Sequence, residues 1–459
     1  MSFFNGLRET MRLPDLRKRI LVTILLLVIY RLAANIPVPG VDRTVLAQVL
    51  SPTSGIGGFA NVLDLLSGGA VSRFSVLAMG VYPYITANII IQLLTPVIPA
   101  LEEMQREGQE GRDKVNRLNY YLTIPLALVQ AVAQINIFRD QTTGTTIIPG
   151  FGLSANSDIL LTFTVMAVMT AGTLFAVWLG ELITEDGIGN GLSLIIFAGI
   201  VARVPFSIGR IFNNEVTVVI RDLLIFIFIT LITVVVIVIV QEGQRRIPVK
   251  YGKRVRGMKM YGGGSTYVPL RVNTAGMIPL IFAQAILTLP AVISGFFRNA
   301  ATPWVANTAV TITNIFGNQG GVRVGGQITY WLITFIAVVG FTYLYTDVMI
   351  RNQDLAGNLQ RNGGFIPGIR PGKRTEEFIN RVVSRITLVG ALFLGGIAVL
   401  PGVVVIIMNL IQPGAGTQVL AALYVISGGG LIIVVGVVID TMRQLEAQLV
   451  MRNRDTFIR

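Results

Sequence analysis

Cysteine and histidine are both absent from the 459 residues, and charged side chains make up only 13% of them. The first absence removes disulfides, thiol nucleophiles, imidazole bases and the usual zinc and haem ligands, and with them most catalytic chemistry. The scarcity of charge excludes a soluble chain of this length, which needs a polar surface that this composition does not supply. Apolar residues stand in its place, 53% of the chain, with a mean hydropathy of +0.68. Because about 20 such residues in a row span a bilayer, the class is an all-α polytopic membrane protein, with no cofactor expected. A net charge of +13 would suggest nucleic acid in a soluble protein, but in a membrane protein its placement matters more than its size.

Apolar runs of spanning length lie at about 20–36, 74–95, 118–136, 159–183, 191–209, 217–241, 274–295, 329–350, 386–410 and 419–440. Ten spans put both termini on one side. Of the 37 Lys and Arg, 28 fall before the first span, in 102–117, in 242–273, in 351–385 and after 440, so that side is cytoplasmic. Arg8, Arg12, Arg17, Lys18 and Arg19 precede the first span with no small-residue cleavage site behind it, so no cleavable signal is expected. A division near residue 214 leaves five spans in 1–214 and five in 215–459, the count an inverted repeat produces.

Three stretches between spans carry more information. Residues 59–75, FANVLDLLSGGAVSRFS, are too short to cross and are broken at Gly68-Gly69. On the residues alone, this piece either lies on the outer surface as an interfacial helix or folds back into an aqueous funnel. In loop 242–273, Ile247, Val249 and Tyr251 alternate with polar residues ahead of a triple glycine, and Tyr267 and Val268 resume the extended pattern. That is a β-hairpin carrying eight cations, suited to a polyanion or an acidic surface unless the charges only fix topology. In loop 351–385, GFIPGIRPGKRT sets Pro367 and Pro371 among Gly364, Gly368 and Gly372, so the loop is pre-shaped and Arg370 is held outward. It is no phosphate loop, because Pro367 stands where the Walker pattern needs glycine and Arg374 where it needs Ser or Thr.

GFIPGIRPG, QRRIPVKYGKR, LGELITEDGIGNGLSLIIFAGIVA and SGGAVSRFSVLAMGVYPYITANIIIQLL together resemble the SecY family, the channel-forming subunits of the bacterial Sec protein translocase. The resemblance runs from about residue 17 to 445. It implies ten transmembrane helices in two pseudo-symmetric halves of five around a central hourglass pore, with a short re-entrant plug helix. By position, the plug is similar to 59–73, including Asn61, Val62, Leu63, Leu65, Leu66, Gly68, Gly69 and Arg73. The pore ring resembles Val81, Ile85, Leu192, Ile196, Ile281 and Ile433, all aliphatic, as suits a constriction that excludes ions by dewetting and offers a passing peptide nothing to bind. For each of these taken singly and without the resemblance, ordinary helix packing or lipid contact is the stronger reading.

A lateral gate between spans two and three on one side and seven and eight on the other would present Thr86, Gln92 and Leu289, with Asn190 near its cytoplasmic end. Asn88 and Gln284 are further polar candidates there, although such groups also simply hold helices together. Docking falls to Arg246, Lys250, Lys253, Arg254 and Arg370. The partners implied are the small membrane subunits SecE and SecG, the SecA motor ATPase, the ribosome, signal peptides, unfolded preproteins and the lipid bilayer, and the location implied is the bacterial cytoplasmic membrane. Two departures stand out: Gly428, Gly429 and Gly430 follow Ser427 where the family usually shows Gly-Gly-Thr-Ser, and 401–416 lacks charge. A secondary transporter is the alternative, but it needs ionisable groups near the midplane, and no Asp or Glu falls mid-span. A membrane protease lacks its histidine, and Asp347 and Asp440 sit only at span ends.

Overall fold

The computed structural model describes residues 13–49, 67, 69–95, 97–138, 147–152, 158–211, 216–251, 254–256, 259–261, 264–297, 302–317, 324–353, 355–411 and 429–457. The fold is all-α and polytopic. Its principal helices follow the ten apolar runs: α1 (Pro14–Ala33), α3 (Tyr82–Leu94), α5 (Gln109–Ile137), α6 (Ile159–Asp186), α7 (Gly191–Ile211), α8 (Val216–Glu242), α9 (Ile278–Phe297), α11 (Val324–Gln353), α13 (Lys373–Ile411) and α14 (Gly429–Phe457). Short helices α2 (Arg43–Val49), α4 (Pro99–Arg106), α10 (Pro303–Gly317) and α12 (Leu355–Arg361) fill the connections. Segments within α5, α6 and α13, and one running from α11 into α12, are each long and apolar enough to cross a membrane by themselves.

Helix ends depart from the apolar runs for physical reasons. Span two, expected from residue 74, becomes α-helical only at Tyr82. Pro83 falls in the first turn, the place where its missing donor and fixed φ are tolerated. The residues before it are stitched to the chain leaving α1 instead, with the Val38 amide donating to the Phe74 carbonyl (3.0 Å) and the Val76 amide to that of Ile36 (2.9 Å). Elsewhere the helices outrun the spans. α5 begins at Gln109, α13 at Lys373, and α14 continues to Phe457, because helical backbone bonding does not stop where the lipid does.

Loop 242–273 forms the expected hairpin. β1 (Gln244–Tyr251) pairs antiparallel with β4 (Ser265–Arg271), while β2 (Arg254–Arg256) and β3 (Lys259–Tyr261) pair as a separate tip. The other edge of β1 takes β5 (Gly364–Phe365), giving the order β4-β1-β5, so the two large polar loops share one sheet. Ile247 and Val249 turn to its buried face, where they join Leu270, Leu359, Ile366 and Ile379 in a small core.

A larger core runs through the bundle, with buried side chains from α1, α6, α7, α8, α9, α11, α13 and α14. Around it, Leu160 (78% exposed), Leu224, Phe228 and Ile336 face outward. Such an apolar perimeter is a liability in water and the natural surface in lipid.

Candidate functional site

The six residues expected to form the ring come from four separate places: Val81 and Ile85 at the start of α3, Leu192 and Ile196 on the first turns of α7, Ile281 on α9 and Ile433 on α14. Val81, Ile196, Ile281 and Ile433 belong to one buried apolar cluster, each 7% exposed or less, and Ile85 and Leu192 pack against it. A close approach of α6 to α7 helps to place two of them. A Cβ on Gly191 would overlap the Gly180 carbonyl, and one on Gly180 would meet the Leu192 side chain at 2.8 Å. The LGELITEDGIGNG stretch therefore supplies glycine where two helix backbones must touch. Asn190 stands just ahead of α7, and its Oδ1 accepts from the Ser193 amide at 3.1 Å, a helix N-cap.

Along the expected gate, α3 and α9 are in contact. Tyr82 and Ile89 on α3 share a buried cluster with Phe282 and Ala285 on α9, and the Tyr82 hydroxyl donates to the Ala285 carbonyl oxygen at 2.8 Å. Phe282 meets Tyr345 of α11 edge to face, with ring centroids 5.9 Å apart. The polar residues named from the sequence bond on the α3–α5 side of that seam. The Thr86 hydroxyl donates to the Tyr82 carbonyl (3.0 Å) and accepts from Gln130 Nε2 of α5 (3.4 Å). Gln92 donates to Asn88 Oδ1, which also accepts from Asn119 of α5. Thr86, Asn88 and Gln92 thus bond within the α3–α5 pair rather than across to α9. Gln130, Gln134 and Asn119 each keep a buried side-chain oxygen with no partner among the described residues, as does Gln284 on α9. Leu289 is half-buried on α9.

Arg246 and Lys250 project from the same exposed face of β1, opposite Ile247 and Val249, as strand alternation requires. The Arg246 guanidinium lies 4.7 Å from the Tyr267 ring centroid, stacked on the neighbouring strand. Arg254 is on β2, and Lys253 lies outside the described residues. Arg370 is exposed on a loop held from both sides: the Ile369 amide donates to the Ile366 carbonyl, and the Thr375 hydroxyl donates to the carbonyl of Arg370 itself at 3.0 Å. Gly368 (φ 81°) and Gly372 (φ 104°) supply the left-handed turns. Gly364, expected to be a third, is strand, and Gly363 (φ 70°) takes that turn instead.

Of the residues expected in the plug, Asn61, Val62, Leu63, Leu65, Leu66 and Gly68 lie outside the described residues. Gly69 (φ 88°) and Arg73 are described, the latter exposed at the end of a 3-10 turn, Val71–Arg73. Sequence reasoning missed two residues that bridge elements. Tyr82 was legible only as an aromatic inside an apolar run, although a buried tyrosine hydroxyl needs a partner. Arg443, which reaches Glu242 Oε1 at 2.8 Å, carried no local signal.

Comparison with known proteins bears on this arrangement. A family model described as SecY matches residues 75–442. A protein translocase subunit SecY from Thermotoga maritima is 38% identical over 99% of this chain and 98% of its own length. Among solved structures, a protein-conducting channel superposes with a TM-score of 0.59 at 19% identity, covering 95% of this chain and 93% of the other. Sec61 in a canine ribosome-channel complex from the endoplasmic reticulum gives 0.60 at 18%, with 95% and 93% covered. The structural likeness carries the fold, and the sequence identity across almost the whole length carries the kinship: the chain belongs to the SecY family.

Proposed function

We propose that Val81, Ile85, Leu192, Ile196, Ile281 and Ile433 are the constriction through which this chain conducts unfolded polypeptide. The chain is a protein-conducting channel of the translocase and not an enzyme, as its family membership entails. The single observation that supports the ring is that four of these aliphatic side chains belong to one buried cluster and the other two pack against it, although they come from four segments. Branched apolar side chains hold back water and ions without binding a peptide in transit. Their burial fits a closed channel, as does the contact of α3 with α9 through Tyr82, which would part when a transmembrane segment leaves sideways into lipid.

In this reading 1–214 and 215–459 act as two halves hinged against one another, and 59–73 seals the outer side of the ring. The sheet of β1, β4 and β5, with Arg370 beside it, is the docking surface for SecA or the ribosome. Its exposed Arg246, Lys250 and Arg370 suit phosphate-rich RNA or an acidic protein face. SecE and SecG cover part of the apolar perimeter, and the complex resides in the bacterial cytoplasmic membrane with both termini inside. The energy for transport comes from the motor or the translating ribosome.

A stalled precursor tests the ring. With a photoreactive residue placed in turn at Ile85, Ile196 and Ile281, crosslinks to the chain in transit are expected at all three positions. Consistent failure at one removes that position from the ring, and failure at all three ends the proposal.

A further inference from the structure

We propose that Arg443 is a positioning residue that ties the docking sheet to the helices carrying the ring, so that a partner seated on the sheet is felt at the constriction. The inference rests on the ring and docking assignments above and adds the joint between them.

Arg443 belongs to α14, ten residues beyond Ile433, or about 15 Å at 1.5 Å per residue. Its Nη2 donates to Glu242 Oε1 at 2.8 Å and to the Gln241 carbonyl at 3.4 Å. Its Nη1 stands 3.9 Å from Asp440 Oδ1. Glu242 is the last residue of α8, and β1 begins two residues later at Gln244. The Val272 amide donates to the Gly243 carbonyl at 2.8 Å and closes the hairpin base directly beside the pair. A displacement of the sheet therefore reaches Glu242 with no flexible linker between. The guanidinium also serves as a cation at the carboxyl end of α8, where the helix dipole favours one. Its planar fork can hold carboxylate and carbonyl together, which a lysine ammonium does less well.

The same spot adjoins the ring. A cavity of about 270 Å³ is lined there by Asn190, Ser193, Arg271, Met277, Val437 and Arg443, among others. Ser193 follows Leu192, Met277 precedes Ile281 by four residues, and Val437 follows Ile433 by four. The cavity thus begins about one helical turn from the constriction or closer, on α7, on α14 and just ahead of α9. Thr441 packs against Gly189, just ahead of α7, so α14 also bears on the helix that carries Leu192 and Ile196. The Arg443 side chain is 27% exposed and that of Glu242 55%. An ion pair with that much water around it is weak and exchangeable, which suits a joint that must shift and not a structural rivet.

A charge-swap cycle in the reconstituted translocase tests the joint, with Arg443→Glu, Glu242→Arg and the double variant compared. The readouts are motor binding and motor-stimulated precursor transport. Each single swap should lower stimulated transport about tenfold, a coupling of ordinary size, while motor binding stays unchanged because neither side chain lies on the exposed face of β1. The double swap should recover part of the loss, since the carboxylate placed at 443 still faces Asp440, and Arg443→Lys should be intermediate. Should a single swap fold poorly, Arg443→Lys and Glu242→Gln carry the same comparison. Single variants that transport normally, or a double variant no better than the singles, overturn the proposal. Failure of the ring assignment reads differently: Ile433→Asn would then leave ion leakage unchanged, whereas a wrong joint leaves Ile433→Asn leaky and the two swaps additive.

Discussion

Tyr82 on α3 and Ala285 on α9 are joined by a hydrogen bond of 2.8 Å from the phenolic hydroxyl to the main-chain carbonyl, although 203 residues separate them. Both lie among apolar neighbours, and the bond satisfies a hydroxyl that burial would otherwise leave costly. In the proposed gate it is a direct hydrogen bond between the two helices that would separate for sideways release.

Tyr82→Phe removes that bond and keeps the ring packing. The closed arrangement should lose about 1 kcal/mol, which multiplies the open fraction about fivefold. Single-channel recording in a planar bilayer measures it, and an unaltered open probability would show that the bond does not latch the gate.

Gly191→Ala places a methyl group against the Gly180 carbonyl. Overpacking of this kind costs about 1–3 kcal/mol, so the purified translocase should melt at a lower temperature. Because Leu192 follows directly, ion leakage should rise as well. A variant with parental melting and leakage would mean that α6 and α7 separate without consequence.

Arg370→Glu leaves the loop geometry intact, since Gly368 and Gly372 make the turns and the Thr375 hydroxyl bonds to the Arg370 main chain, not its side chain. Its amount in the membrane should match the parent while precursor export falls by about tenfold or more, as reversal of an interface charge does. Normal export rates in a pulse-chase assay would remove Arg370 from the docking surface.

Arg246→Ala breaks the stack on Tyr267, an exposed contact worth about 0.5–1 kcal/mol. Stability should barely change. Binding of ribosomes should weaken, and its dependence on salt should become shallower by about one counterion. Titrations at two ionic strengths decide the point, and an identical slope in both proteins would assign Arg246 to topology alone.

The spans were legible because lipid imposes a length and a composition that nothing else in this chain imitates. Their ends were not, since Pro83 and the stitching of Val38 to Phe74 act through hydrogen bonds that hydropathy does not see. The hairpin showed in the alternation of Ile247, Val249 and Tyr251. Its union with Gly364 and Phe365 did not, because two residues make no pattern and Gly364 looked like a turn. The proposed ring positions came only from family resemblance, as an isoleucine in an apolar helix has no mark of its own. Thr86 and Gln92 stood out as polar groups in an apolar run, but chemistry alone could not say that their partners sit on α5 and α3.

Lys250 opposite Phe365 and Tyr251 opposite Gly364 bring together chain segments more than a hundred positions apart. Whatever takes hold of one projection therefore tugs on both, and the strain is divided between the helix that leads into β1 and the helix that follows Arg370. In the proposed docking mode, a motor or ribosome would find two handles on one lever.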